Sequence, residues 1–320
     1  MALPYDPEFH TAIAPMLAHP QPALPAGDVP SRRARLDALF TFLMSTIPPQ
    51  PTITQTTLTI TTPSGPLPIH VFTPTTLPPG PSPAILLAHP GGHVSLTSAI
   101  LAPSTAKLAA QLQLPVYSVE YRLAPEHPFP ADLDDCYAAL SHLSTHAGDL
   151  NIDPARIILY GASAGGGLAA ALALRARDQG LTPQPKGVVL VYPMLDDRVS
   201  SAAPGTEKAL VWTLADQETG WGAYLGGKFR GEEVSTYAAP GRAKAGELEG
   251  LPPHWIDVGG LDLFAGESLR YAAGLVEAGT EVEMHLWKGV VHGFEVMAPE
   301  VAVTKRAEEG RVGFIRGLVG

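Results

Sequence analysis

Ser163 stands in the run Gly161-Ala162-Ser163-Ala164-Gly165, between the apolar stretch Ile157-Ile158-Leu159-Tyr160 and an Ala/Leu-rich stretch ending at Arg175. That pattern predicts a buried strand, a sharp turn and a helix. Where the two backbones approach, only residues without a Cβ fit, which accounts for Gly161 and Gly165. The turn lifts the serine hydroxyl clear of the sheet and sets it at a helix N-terminus, where free N–H groups and the helix dipole favour negative charge. The bland alternative is a glycine-rich helix start that only packs on a sheet. A phosphate loop is disfavoured, because no Gly-Lys-Ser/Thr follows and no G-x-G-x-x-G is present.

A serine hydroxyl becomes a useful nucleophile when a base takes its proton, and the base needs an orienting carboxylate. Asp262, in Val258-Gly259-Gly260-Leu261-Asp262, follows a predicted strand at its carboxyl end. His292, in Val290-Val291-His292-Gly293-Phe294, follows the last predicted strand at the same edge. Asp257 within the strand and Glu267 within the next helix are rival carboxylates, and Asp262 also reads as a helix N-cap. Asp262 is preferred for its loop position. His285 lies inside a strand and His254 begins one, so neither has the freedom of a proton shuttle.

An oxyanion formed during acyl transfer needs backbone donors. Ala164 N–H, just after the serine, is one. The loop His89-Pro90-Gly91-Gly92-His93 after a buried strand offers Gly91 and Gly92, whose lack of side chains allows close approach; the alternative is a plain turn. His89 and His93 have metal-ligand spacing only if that loop were helical, and no third ligand is evident, so no metal is expected.

These residues need a frame. A helical pattern from about Ser31 to Thr46 ends at Pro48-Pro49, and 52–62 and 67–73 alternate apolar and polar as a half-exposed antiparallel pair. Then come short apolar runs at 84–89, 116–121, 156–161, 187–193 and 254–259, separated by helical patterns at about 97–113, 131–146, 163–177 and 264–278. A strand at 281–287 and a helix at 300–317 finish the chain. Such alternation predicts an α/β fold with a mostly parallel eight-stranded sheet covered on both faces. Residues 196–250 exceed what a crossover needs, and an insertion at a strand's carboxyl end suits a lid. The expected organisation is a cap segment over 1–50, a core over 51–195 and 251–320, and a cap insertion over 196–250.

Composition narrows the classes. A net charge of −10 disfavours nucleic acid and anionic membrane as partners and suits neutral substrates. The one cysteine, Cys136, excludes an internal disulfide and reads as a buried apolar residue. No basic-then-apolar leader, glycosylation sequon or membrane-length apolar run is found, which predicts a soluble cytoplasmic protein.

The segments HPGGH (89–93), YRLAPEHPFPA (121–131), GASAG (161–165), YPMLD (192–196), GGLD (259–262) and VHGF (291–294) occur in the order seen in the hormone-sensitive-lipase-like carboxylesterases of the α/β-hydrolase fold. The chain resembles that family over roughly residues 50–315. The resemblance implies a triad of Ser163, Asp262 and His292 and an oxyanion hole of Gly91, Gly92 and Ala164. It also implies a cap from the N-terminal region and the insertion, no cofactor, and a homodimer through the last strand or helix. Two positions depart from the family pattern: Pro90 stands where a glycine is usual, and Ala162 where Asp or Thr is usual. Pro90 has no N–H to donate, but the two later positions keep theirs.

The expected activity is hydrolysis of short-chain acyl esters through an acyl-enzyme. His93, Met194, Leu195, Trp212, Trp221 and Tyr224 are candidates for the substrate pocket, although aromatics in a cap also form its own small core. His89 is expected to support the site, and Arg122 and Glu126 to brace it as an ion pair. The rivals are a lactonase, deacetylase or amidase on the same triad, and a non-catalytic small-molecule receptor, which is expected to lack the base.

Overall fold

A computed structural model describes residues 4–320. One eight-stranded sheet carries the chain: β1 (Ile53–Thr62), β2 (Gly65–Pro74), β3 (Ser82–Ala88), β4 (Val116–Val119), β5 (Ile152–Ala162), β6 (Gly187–Val191), β7 (His254–Gly259) and β8 (Val282–Trp287). Their order across the sheet is β1-β2-β4-β3-β5-β6-β7-β8. β2 pairs antiparallel with β1 and β4, and all later neighbours run parallel. The Thr-rich strand β1 lies at the edge, where one ladder stays open to water.

The helices are α1 (Pro7–Ala18), α2 (Val29–Ser45), α3 (Ala102–Leu112), α4 (Ala131–Thr145), α5 (Ala164–Asp178), α6 (Leu214–Leu225), α7 (Ala265–Glu277), α8 (Phe294–Met297) and α9 (Ala302–Val319). Alternate strand residues feed two cores, as the two-residue period of a strand demands. Ile85, Leu87, Ile158, Val189 and Val191 face the side that holds α3 and α9. Leu86, Ile157, Leu159, Val188 and Leu190 face α4, α5 and α7 on the other. Cys136 is buried in this second core.

Nearly every expected element is present, displaced by a few residues at its ends. α1 was hidden by the prolines around it; Asp6 caps it by accepting from Phe9 N–H (3.0 Å). α6 was hidden in the insertion, where its capping box, Thr213 with Asp216, is the readable signal. α2 and α6 meet above the sheet. Arg32 donates to Asp216 (2.6 Å), and Gly27 N–H donates to Thr219 Oγ1 (2.9 Å). Among the described residues no helix is long and apolar enough to cross a membrane.

His89 and His254 are wholly buried, and burial pushes each imidazole down to about 4 from an ordinary 6.5. Folded, both stay neutral through mildly acid pH; released, each takes up a proton near 6.5. Between roughly pH 4 and 6.5 the unfolded chain therefore binds more protons. Stability, intact above that window, falls as pH drops through it, by up to about 1.4 kcal/mol per pH unit for each histidine. His254→Phe should remove one histidine's share. Urea unfolding of wild type and variant from about pH 7.5 to about 4.5 should show the stability gap closing as pH falls; a constant gap would count against the burial effect.

Candidate active site

β5 turns into α5 at Ser163, whose backbone has φ 55° and ψ −120°, a region serine seldom occupies. Three hydrogen bonds hold it there. Ser163 N–H donates to Val191 O (2.9 Å), and its carbonyl accepts from Met194 N–H (2.9 Å) and Gly167 N–H (3.1 Å). The close approach leaves no room at Gly161, where an added Cβ would lie 1.9 Å from the Gly165 carbonyl oxygen.

The loops after β7 and β8 are stitched to each other. Gly260 N–H donates to Trp287 O (2.7 Å), and Leu261 N–H to Val290 O (3.0 Å). This brings Asp262 and His292 together: Nδ1 of His292 is 2.7 Å from Asp262 Oδ2, and Nε2 is 3.0 Å from Ser163 Oγ. With the ring proton on Nδ1 donated to the carboxylate, Nε2 accepts from the serine hydroxyl. The other carboxylate oxygen of Asp262 accepts from Phe264 N–H (2.9 Å), a bond in the turn before α7; Asp262 is not the helix cap the sequence suggested, because Phe264 is the residue that precedes α7. Phe264 meets the imidazole edge-on (5.1 Å between centroids), and Tyr192 packs against it at 4.5 Å.

The rivals are otherwise engaged. Asp257 is buried and bound by Arg311 (2.8 Å) and by Trp287 Nε1 (2.9 Å). Glu267 accepts from Leu195 N–H (2.7 Å), and burial pushes its carboxyl well up. His285 pairs with Glu283 (2.9 Å), and His254 with the Pro252 carbonyl (2.7 Å).

Among the described residues, no group accepts from the N–H of Gly91, Gly92 or Ala164. Gly92 has φ 61°, and an added Cβ there would lie 2.2 Å from the ring of Trp212, so Trp212 sits directly on this loop. Pro90 holds the loop from below: His89 donates from Nδ1 to the Pro90 carbonyl (2.8 Å), and Tyr121 OH donates to the His89 carbonyl (2.6 Å). The His89 and Tyr121 rings stack at 4.0 Å. His89 thus supports the loop through these contacts.

Arg122 and Glu126 do not form the expected pair. Arg122 binds Asp135 of α4 (2.8 and 2.9 Å), while Glu126 binds Arg33 of α2 (2.8 and 2.9 Å). The Arg33 guanidinium holds the Glu126 carboxyl down at about 2. Arg33 also reaches the carbonyls of Val94 (2.6 Å) and Ala124 (3.0 Å), so α2, the glycine loop and the 121–131 stretch share one clamp. The sequence expectation missed Arg33 because its partners lie 61 to 93 residues away.

The pocket expectation also needs correction. His93, Met194, Leu195, Trp212, Trp221 and Tyr224 are all buried. His93 bonds Asp132 (2.8 Å) and stacks on Tyr224 (3.8 Å), and the aromatics Trp212, Trp221 and Tyr224 are packed into the core on the α3 and α9 side of the sheet. None of the six lines the half-open cavity beside His292, whose volume is about 230 Å³. It is lined by His292, Gly293, Tyr192, Pro90 and Ala162, by strand residues such as Leu87 and Tyr160, and by side chains of α2, α3 and α9. The apolar stripe of Phe40, Leu43 and Ile47 was readable as a helix face; that it bounds a cavity was not.

Known proteins bear on this arrangement. Residues 85–296 match the family model described as the alpha/beta hydrolase fold. Esterase LipI of Mycobacterium tuberculosis is 33% identical over 83% of this chain and 82% of its own. The chain belongs to the hormone-sensitive-lipase-like carboxylesterases of the α/β-hydrolase fold. A solved bacterial heroin esterase is 34% identical, covers 99% of this chain and 98% of its own, and superposes with a TM-score of 0.88. Gibberellin receptor GID1A of Arabidopsis thaliana is 35% identical over 67% of this chain and 63% of its own.

The clamp gives a test that separates its two kinds of contact. Glu126 is half exposed, so Glu126→Gln should cost less than about 1 kcal/mol. Arg33→Ala also strips the buried Val94 and the Ala124 carbonyls of their donor and should cost about 1–3 kcal/mol. Urea unfolding of both variants checks the order; equal losses would place the strength in the ion pair instead.

Proposed function

We propose that Ser163 is the nucleophile of this carboxylic ester hydrolase, with His292 as its base and Asp262 as the carboxylate that orients and charges against that base. The relay of 2.7 and 3.0 Å through the His292 imidazole carries this reading. His292 Nε2 takes the hydroxyl proton as Oγ bonds to the ester carbonyl carbon. The carbonyl oxygen, now negative, is held by N–H groups of Gly91, Gly92 and Ala164. As the carbon–alkoxy bond breaks, His292 returns the proton to the departing alcohol. Water then repeats the sequence: its proton goes to Nε2, its oxygen bonds the acyl carbon, and the acid leaves as Oγ recovers the proton.

Residues 1–50 and 196–250 act in this reading as one cap, joined through Arg32 and Asp216. The favoured substrates in this reading are neutral esters of short acyl groups, the net charge of −10 disfavouring anionic ones. The receptor alternative, relevant to GID1A among the relatives, predicts no working base, whereas His292 lies within reach of both partners.

Ser163→Ala should lose nearly all hydrolysis of p-nitrophenyl acetate, and Asp262→Asn should lose on the order of 10⁴ in kcat by favouring the wrong tautomer. Wild type should be labelled by a fluorophosphonate, and Ser163→Ala should not. Activity within tenfold of wild type in Ser163→Ala would reject the nucleophile. An unlabelled wild type with no hydrolysis would favour a receptor.

Replacing Gly92 with Ala drives a Cβ into Trp212 and strains the left-handed backbone. Turnover of the same ester should fall on the order of 10²-fold, the loss seen when an oxyanion donor is misplaced. An unchanged kcat would remove Gly92 from the proposed hole.

A further inference from the structure

A peptide group holds its C=O and the next N–H in one plane, pointing opposite ways, so whatever grips the carbonyl aims the N–H. For Gly91 N–H the carbonyl is that of Pro90, which His89 holds (2.8 Å). For Gly92 N–H it is that of Gly91, which accepts from Val94 N–H (3.1 Å), Ser95 N–H (3.0 Å) and Ser95 Oγ (2.9 Å). The Gly91–Val94 bond closes a four-residue turn whose central residues, Gly92 and His93, have φ of 61° and 64°. Both are positive, as a type I′ turn requires. Glycine takes such an angle freely. Histidine seldom does, and keeps it only where its surroundings over-determine it.

We infer that His93 and Asp132 are positioning residues for the oxyanion hole: the hydrogen bond between them locks His93 in the left-handed turn that aims Gly92 N–H at the substrate oxygen. This role rests on the acyl-enzyme reading above and adds to it two residues that touch no reacting atom. Nδ1 of His93 meets Asp132 Oδ2 at 2.8 Å, and both side chains are only 2% exposed. The ring lies flat on Tyr224 of α6, 3.8 Å between centroids and 8° between planes. Its Nε2 has no hydrogen-bond partner among the described residues, so Asp132 alone decides which way the polar edge of the ring turns. Asp132 is anchored in the first turn of α4, where the helix dipole favours a carboxylate, and its Oδ1 accepts from Leu133 N–H (2.7 Å). Beyond the ring, the His93 carbonyl accepts from Ala124 N–H (2.9 Å), and Arg33 holds the next carbonyl, that of Val94. With the chain tied on that side, any relaxation of φ at His93 is passed back into the two glycines, which have no side chains to resist it.

The test uses the full chain, hydrolysis of p-nitrophenyl acetate and inhibition by 1,1,1-trifluoroheptan-2-one. When this ketone binds, Ser163 Oγ bonds the carbonyl carbon, the hydroxyl proton passes to His292, and the C=O π pair moves onto the oxygen, which becomes an anion facing the hole. Its inhibition constant therefore reads the donors with no leaving group involved. The double variant His93→Phe with Asp132→Leu replaces the buried pair by apolar side chains and strands no charge, so its fold is the least disturbed. Its kcat/KM should fall at least about tenfold, and the inhibition constant should rise by about the same factor. Asp132→Ala should behave alike, and whichever of the two folds decides. Asp132→Asn keeps an oxygen to accept from Nδ1–H and should recover most of what Asp132→Ala loses. A general loss of active protein lowers turnover but leaves the inhibition constant where it was. A constant within about twofold of wild type in a folded variant lacking the bond overturns the inference and leaves the nucleophile reading intact. So does Asp132→Asn as damaged as Asp132→Ala. If wild type hydrolyses no ester and resists the fluorophosphonate, the nucleophile reading fails first and takes this one with it.

Discussion

The imidazole of His292 touches two side chains that are 129 and 30 residues away in sequence, and the site exists only while it touches both. No side-chain contact alone secures that. What holds it is main chain: the loops after β7 and β8 run side by side and exchange the Gly260–Trp287 and Leu261–Val290 hydrogen bonds. Because those loops extend from neighbouring parallel strands, the sheet register fixes their relative height, and the imidazole inherits its position. The serine is placed by the same logic, through the Val191 carbonyl at the end of the next strand. Three loops at one sheet edge are thus set by backbone bonds, leaving the side chains with little to reorganise when charge moves.

A second constraint couples the 196–250 insertion and the N-terminal helix α2 to the glycine loop. Trp212 comes from the insertion and rests where Gly92 has no side chain. Arg33 comes from the N-terminal helix and grips the carbonyls just beyond the same loop. The N-terminal segment and the insertion are joined to each other by Arg32, buried and bound to Asp216 and to the carbonyls of Leu24 and Pro25. Removing one partner of such a pair strands a buried charge, which is why such clamps are hard to open piecemeal. The loop with Pro90 in place of the usual glycine is therefore braced from above and below.

The sheet, most helices, Ser163, Asp262 and His292 could be read from the chain because each is a local matter. Apolar periodicity marks the strands, glycines mark the elbow, and position just past a strand marks a loop at the sheet edge. Pairings across the fold could not be read so. Arg122 chose Asp135 over Glu126 because the helix after the loop returns beside it, and Glu126 was left facing Arg33. The aromatics of the insertion matched a substrate pocket in composition, yet burial among themselves and His93 takes more apolar surface from water than lining an open cleft. The cavity instead lies where α2, α3 and α9 fail to fill the sheet face, and a gap between elements has no signature in any one of them.

Two aspartates five residues apart, Asp257 and Asp262, show how the fold separates structure from chemistry. Asp257 points into the sheet face, where Arg311 and Trp287 supply all its donors and Arg311 also faces Glu295. A carboxylate matched to a guanidinium has little left to offer an imidazolium, since the field of one charge cancels the other at a distance. Among the described residues Asp262 has no cationic partner but His292, and its second oxygen is occupied by a neutral backbone N–H. Its charge is thus directed at one ring. The turn that bonds Asp262 to Phe264 fixes the direction, and Phe264 in turn packs edge-on against that ring. Asp262, the carboxylate of the proposed triad, is distinguished by what is kept away from it as much as by what it touches.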